Sequence, residues 1–306
     1  MYRAFFLALS RNQTFKRLLV ACPLTKGLVK RFIAGESWET ARDGVAGLID
    51  KGLKVTLDPL GEDVTCAQKA EAAVVTYLAL LDTIRDEGWA GDAEVAVKLT
   101  ALGLLLRDGE ALATANARRI AAKAAEVGTT ITIDMENLGT TAKTIRTVQA
   151  LREDFPTVGC TLQACLRRTE TDCCTVCGAR VRLTKGAYRI PPQAAYTVKH
   201  DVDLCYVRCL KTLMEGSGTP LVATHDPVMI EIAQELAAHS NRGLRDFEFQ
   251  MLYGVRPIEQ ERLADLGYIV RVYVPFGRDW YAYLVRRLAE RAANLRFLLR
   301  SLVGPR

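Results

Sequence analysis

Two adjacent arginines, Arg286 and Arg287, stand in the stretch YVPFGRDWYAYLVRRLAERAAN, which runs from Tyr273 to Asn294. Its second half reads as a helix. On a helix Tyr283 precedes the arginines by three and four residues, and Glu290 follows them by four and three, so all four side chains share one patch. Two forked guanidiniums beside an aromatic ring suit a planar carboxylate, which each can grip bidentately. Taken alone, an arginine pair reads first as a solvated helix face. The rest of the chain has to decide.

Further candidates are Lys98, Asp134, Glu136, Gln163, Arg182, Lys185, Thr224, His225, Glu248, Gln250 and Tyr273. Each lies in or just after a short apolar run. One such residue is ordinarily solvated and inert, but here every run from the second to the eighth ends this way. Charges inside a protein need partners, and Asp134 with Arg182 make a carboxylate–guanidinium pair across neighbouring runs. Lys98 and Lys185 have the type needed for a Schiff base, although spacing shows no proton relay beside either. No Gly-x-Gly-x-x-Gly follows the first run, so a dinucleotide would not be held in the Rossmann manner. A P-loop and a serine nucleophile elbow are likewise missing. His200, His225 and His239 lack metal spacing. Cys173, Cys174 and Cys177 offer one CxxC without a second pair, whereas structural zinc wants four placed ligands, so no metal is expected. Cys205 and Cys209 read as packing residues of a helix.

The elements that must position these residues alternate regularly. Strands are expected at LKVTLDPLG, EVAVKLTAL, TITIDMEN, VGCTLQACL, ARVRLTKGAY, PLVATHD, DFEFQML and YIVRVYVP. Helices are expected between them. One opens on a Thr65–Gln68 capping box and carries Ala70, Val74, Tyr77, Leu81 and Ile84 as its apolar stripe. Another runs from about Asp108 to Val127 and stops at Gly128. A third carries Ile145, Val148, Leu151 and Phe155, and a short one begins at Thr169. The next, from Asp201, packs Val202, Cys205, Cys209 and Leu213. Asp226 and Pro227 supply an N-cap and a first-turn proline, and Pro257–Leu266 closes at Gly267. Apolar runs of this length between helices are buried parallel strands. Eight such units point to an α/β fold, a (β/α)8 TIM-like barrel. Residues 1–30 form an N-terminal helical arm, and residues 31–306 form the barrel domain. In such barrels the chemistry sits at the carboxyl ends of the strands, where these polar residues fall.

The chain has 306 residues, 49% hydrophobic and 25% charged, with a formal net charge of +6. This suits a large globular core and an anionic substrate, cofactor or membrane surface. No basic run is interleaved with aromatics, so nucleic acid is not an expected partner. Nine scattered cysteines without secretory features point to reduced thiols in the cytoplasm. No apolar run approaches the roughly 20 residues of a membrane span. The N-terminal stretch MYRAFFLALSRNQTFKRLLVACPLTKGLVKRF reads as two short helices packed on the barrel, or as a surface resting peripherally on an anionic membrane. Its apolar core is too interrupted for a signal peptide.

GESWETA with KVTLDPLGEDVT, then VKLTALG, TIDMEN, LQACLRRTETD, VRLTKGAYR, VATHDP, EFQMLYG, VRVYVP and YLVRRLAERAAN, resemble proline dehydrogenase in order from Arg31 to Leu302. Every expected strand takes part. The resemblance is to the short bacterial monofunctional enzymes. It implies a distorted barrel that binds FAD and oxidises L-proline to Δ1-pyrroline-5-carboxylate by hydride transfer from proline C5 to flavin N5. It also implies electron transfer to membrane quinone, and a separate pyrroline-5-carboxylate dehydrogenase to take up the product.

Residue by residue, the resemblance implies that Arg286 and Arg287 pair with the proline carboxylate and that Lys98 lies beneath it. Tyr273 and Tyr283 would shape the substrate pocket, with Leu183 and Tyr188 as its wall. Asp134 and Arg182 would be a buried pair near the flavin ring. Met135, Gln163, Lys185, Gly186, Ala187, Thr224, His225 and Glu290 would hold the flavin. The last helix would lie over the barrel mouth and exclude water. Three features are departures: Arg189 where bifunctional relatives often have an aromatic, Asp226 where asparagine is common after the family's Thr-His, and the cysteine cluster. Without the resemblance, a barrel lyase working through Lys98 or Lys185, or a non-catalytic flavin or amino-acid binding barrel, would remain.

Overall fold

The computed structural model describes residues 23–186, 190–281 and 283–285, and only the backbone of residues 23–26 and 28. Eight parallel strands close into a barrel in the order β1 to β8. They are β1 (Lys54–Pro59), β2 (Ala93–Val97), β3 (Ile131–Ile133), β4 (Gly159–Gln163), β5 (Arg180–Thr184), β6 (Thr219–Ala223), β7 (Glu248–Leu252) and β8 (Ile269–Phe276). β8 closes the barrel on β1 over a long register, from Lys54 opposite Arg271 to Pro59 opposite Phe276.

The helices are α1 (Pro23–Phe32), α2 (Trp38–Ile49), α3 (Ala67–Asp86), α4 (Gly109–Val127), α5 (Thr141–Arg152), α6 (Thr169–Thr175), α7 (Lys199–Glu215), α8 (Pro227–His239) and α9 (Pro257–Asp265). The stripe on α3 is buried as its spacing requires. Gly128 ends α4 in the left-handed conformation, at φ +83°, and Asp226 caps α8 by accepting from the Val228 N–H. Buried Cys205 and Cys209 face each other on α7 with their sulfurs 3.9 Å apart, as packing residues should.

The structure departs from the sequence reading in several places. The Thr65–Gln68 capping box does not form. Helix α3 begins at Ala67, with Cys66 at its N-cap, and the Thr65 hydroxyl instead receives the Lys69 ammonium at 3.5 Å. The third strand is short, because the backbone leaves the sheet directly after Ile133. Helix α2 precedes β1 and was not foreseen. Its start is tied by the Ser37 N–H, which donates to the Thr40 hydroxyl at 3.1 Å. Helix α1 runs across the expected boundary between arm and barrel at residues 30 and 31. Residues 1–22 lie outside the described part.

A second, smaller core joins the two ends of the described chain. Phe32 and Ile33 pack with Trp280, Tyr281, Tyr283, Leu284 and Val285, and the Trp280 indole donates to Glu36 at 3.0 Å. Helical backbone therefore resumes at Trp280 immediately after β8, against the end of α1.

The inside of the barrel is not apolar, although its strands lie in apolar runs. Glu94, Glu248, Arg182 and Arg271 are all at least 95% buried and lie in one ionic layer with Arg180. Glu248 and Arg180 each open their strand. Glu248, expected at the mouth, thus belongs to the barrel floor.

Candidate active site

Above that layer, at the carboxyl ends of the strands, lies a cavity of about 990 Å³. This is near the upper end of the roughly 300–1,000 Å³ usual for small-molecule and cofactor sites. Strand alternation explains who reaches it. Residues two apart on a strand share a face, so Arg182 and Thr184 line the cavity from β5 while Leu183 turns away.

Lys98 stands just past β2 and forms an ion pair with Asp58 at the end of β1, both nearly fully buried. The Asp134 carboxylate, just past β3, is 3.8 Å from the same ammonium. Burial alone would lower the Lys98 pKa, but the Asp58 and Asp134 charges outweigh it and hold it above its ordinary value. Lys98 is therefore a fixed cation and not an amine nucleophile. Burial pushes the Asp58 carboxyl up, with Lys98 opposing it.

Asp134 is the hub of the site. Arg182 Nη1 donates to its Oδ1 at 2.8 Å, the Tyr273 hydroxyl to its Oδ2 at 2.7 Å, and the Thr161 hydroxyl to Oδ1 at 3.2 Å. The Arg182–Asp134 pair expected from sequence is thus formed. The Arg182 guanidinium also lies 5.1 Å from the centre of the Tyr273 ring. Burial, and then the Asp134 charge, raise the Tyr273 phenol well above its usual value, so it remains a neutral donor.

Gln163 closes β4. Its amide donates to the carbonyls of Met135 at 3.2 Å and Glu136 at 2.8 Å. Its own Oε1 is buried with no partner among the described residues. Beside it, Gly186 has φ +101°, and a Cβ there would meet Cys165 Sγ at 2.3 Å and Gln163 Oε1 at 3.2 Å. Only glycine fits that turn.

Lys185 Nζ is held by Asp203 at 2.5 Å and Asp226 at 2.8 Å. Asp226, one of the departures noted above, thus both caps α8 and pairs with Lys185. The Leu252 N–H donates to His225 Nε2 at 2.9 Å, and Thr224 Oγ1 accepts from the Asp226 N–H at 3.1 Å.

Among the expected site residues, Lys98, Asp134, Met135, Gln163, Arg182, Lys185, Gly186, Thr224, His225, Tyr273 and Tyr283 all line this one cavity. Leu183 does not. It is fully buried in the main core, where its carbonyl accepts from the Tyr206 hydroxyl, and it makes no cavity wall. Ala187, Tyr188, Arg286, Arg287 and Glu290 lie outside the described residues.

Glu136 also falls elsewhere. It is buried beside the cavity, with Thr100 donating to it through both N–H and hydroxyl. Asp58, Glu94, Arg180, Arg271 and Asp203 were missed as partners. Arg180 and Arg182 stand two apart in an otherwise apolar strand, as do Glu248 and Gln250. That spacing aims both members of each pair into the barrel and could have revealed them.

Comparison with known proteins gives one consistent result. The proline dehydrogenase family model matches residues 41–300. The chain is 35% identical over 305 residues to proline dehydrogenase 1 of Bacillus subtilis subsp. natto, covering 99% of each chain. It is 37% identical over 281 residues to proline dehydrogenase of Deinococcus radiodurans, covering 90% of each. In structure it is similar to proline utilization A from Bdellovibrio bacteriovorus inactivated by N-propargylglycine, with a TM-score of 0.81 and 26% identity. That match covers 87% of this chain and 33% of the longer protein.

Proposed function

This chain belongs to the proline dehydrogenase family, and from that premise we propose that the cavity binds FAD and L-proline together and yields Δ1-pyrroline-5-carboxylate. The chain is an oxidoreductase of proline catabolism. The observation that carries the finer reading is convergence. Lys98, Asp134, Arg182 and Tyr273 form one hydrogen-bonded and ion-paired group at the wall of the cavity.

The residues present fit a flavin. Gln163 Oε1 is a buried acceptor without a donor among the described residues, which suits a ring N–H such as the isoalloxazine imide carries. Gly186, where Cys165 Sγ leaves no room for a Cβ, brings bare backbone to the cavity wall, which lets a flat ring approach closely. Met135, Lys185, Thr224 and His225 would complete the described part of the holder, with Ala187 and Glu290 proposed beside them.

FAD, when bound, supplies the acceptor for a hydride leaving C5 of proline. The protein's own work is binding, orientation and charge. Arg286 and Arg287 would grip the proline carboxylate with Lys98 beneath it, a cation kept protonated by Asp58 and Asp134. Tyr273, Tyr283 and Tyr188 would shape the space around the substrate ring. The proline amine must be unprotonated at the moment of reaction, because its lone pair drives the hydride out and becomes the product's C=N bond. Arg182 would turn an oriented N–H toward the place where negative charge accumulates, while Asp134 holds that guanidinium in place.

An aldolase-type reading through Lys98 loses support, since an ammonium locked between two carboxylates cannot attack a carbonyl. Electrons would leave to a membrane quinone, and a pyrroline-5-carboxylate dehydrogenase would take up the product. Among the described residues no helix is long and apolar enough to cross a membrane, so the proposal is a peripheral encounter. Co-sedimentation with anionic vesicles carrying quinone tests it, and a protein that stays in the supernatant contradicts it.

The substrate assignment is tested with Arg286→Met. The Michaelis constant for proline should rise strongly while flavin stays bound, because a charged bidentate contact is worth on the order of 2–5 kcal/mol. An unchanged constant would remove Arg286 from the carboxylate site.

A further inference from the structure

The ionic layer beneath the cavity is a closed ring of five side chains. Arg182 Nη2 donates to Glu94 Oε1 at 3.0 Å, and Arg180 Nη2 donates to Glu94 Oε2 at 2.9 Å. Arg180 Nη1 reaches Glu248 Oε1 at 3.4 Å. Gln250 Nε2 donates to Glu248 Oε2 at 3.2 Å, and Arg182 Nε donates to Gln250 Oε1 at 2.6 Å, which closes the ring. Of its members only Arg182 and Gln250 line the cavity.

The ring determines what Arg182 can offer. A guanidinium has five N–H groups in a rigid fork. Here the Nε hydrogen goes to Gln250, the two on Nη2 go to Glu94 and Thr56, and one on Nη1 goes to Asp134. One Nη1 hydrogen has no partner among the described residues, and its side chain lines the cavity. Two of the anchors, Glu94 on β2 and Gln250 on β7, come from strands other than β5, which carries Arg182, and β3, which Asp134 follows. They fix rotation of the guanidinium about its own axis, which Asp134 alone cannot do. A donor held this way needs no reorganisation when charge develops before it.

We propose that Glu94 and Gln250 are positioning residues for the reaction, acting through Arg182 to present a single N–H to the electron acceptor. The proposal rests on the reading that Arg182 faces the flavin. Charge balance agrees with it: Arg180, Arg182 and Arg271 are matched by Glu94, Glu248 and Asp134. The Arg182 charge is therefore neutralised from below and from one side, and the remaining N–H acts as an oriented dipole.

The test uses purified FAD-loaded enzyme in three variants, Gln250→Met, Glu94→Asp and, as reference, Arg182→Met. Gln250→Met removes the acceptor of Arg182 Nε and the donor to Glu248 without changing the charge of the layer. Glu94→Asp keeps the charge but withdraws the carboxylate, and it carries the test if the first variant does not fold. The flavin midpoint potential and the proline kinetics are measured for each.

The positioning role predicts a more negative potential in the same direction as Arg182→Met. It also predicts kcat lower by about tenfold to a hundredfold, the usual cost of misplacing a catalytic group, with KM for proline changed by less than about threefold. Variants that hold FAD at the parent potential with parent kcat would make the ring a barrel staple only and overturn the proposal. An Arg182→Met enzyme with unmoved potential would overturn the flavin-facing reading of Arg182 itself, and the inference with it.

Discussion

Single residues near this cavity carry charges tuned by burial, and Glu136 gives the most direct consequence. Burial pushes its carboxyl up to about 7, against hydrogen bonds from Thr100 that act to lower it. In the unfolded chain the same group titrates near 4.5. Between those values the folded protein binds more protons than the unfolded one, so Glu136 makes stability fall as pH rises through that window. The difference in melting temperature between Glu136→Gln and the parent should therefore move in the variant's favour from about pH 5 to about pH 8. A difference that stays constant across that range would contradict the shifted carboxyl. At this scale the sequence disclosed the residue types and the Asp134–Arg182 pair. It did not disclose Asp58 as the counter-charge of Lys98, because the two lie forty positions apart and only closure of β1 against β2 joins them.

Elements were legible where local chemistry decides them. The α3 stripe, the Gly128 stop and the Asp226–Pro227 start all rest on short-range rules and appear as expected. The missed features depend on tertiary contact. Helix α2 covers the barrel beside Trp89 and Phe276 through Trp38, and little in its own spacing announces it. Leu183 was placed at the pocket wall by resemblance, yet strand alternation turns it into the core. The loop after β5 carries a sharp prediction. Gly186→Ala puts a methyl group 2.3 Å from Cys165 Sγ at φ +101°, a strain of about 1–3 kcal/mol. FAD affinity, followed by flavin fluorescence, should fall while far-ultraviolet circular dichroism stays that of the parent barrel. Unaltered affinity would mean that this turn does not touch the cofactor.

The whole molecule combines an apolar shell between strands and helices with an ionic barrel interior. The eight-unit pattern made the shell readable, since apolar runs and helix stripes repeat along the chain. The interior was harder to read, because its charges come from four strands, β2, β5, β7 and β8, and look exposed until the barrel closes. Arg271 is central to it, donating to Glu248 at 2.8 and 3.1 Å and to the Val55 carbonyl at 2.9 Å. Arg271→Met should cost about 3–5 kcal/mol in urea unfolding, since it leaves a buried carboxylate short of its partner. A loss below about 1 kcal/mol, the worth of a surface pair, would show that water reaches the layer.

The central claim, that this barrel oxidises proline through a flavin, is tested most directly by the absorbance spectrum of the FAD-loaded protein before and after anaerobic L-proline. The account predicts oxidised flavin bands that bleach on addition of proline. A spectrum unchanged by proline, or a protein that takes up no flavin, would contradict it.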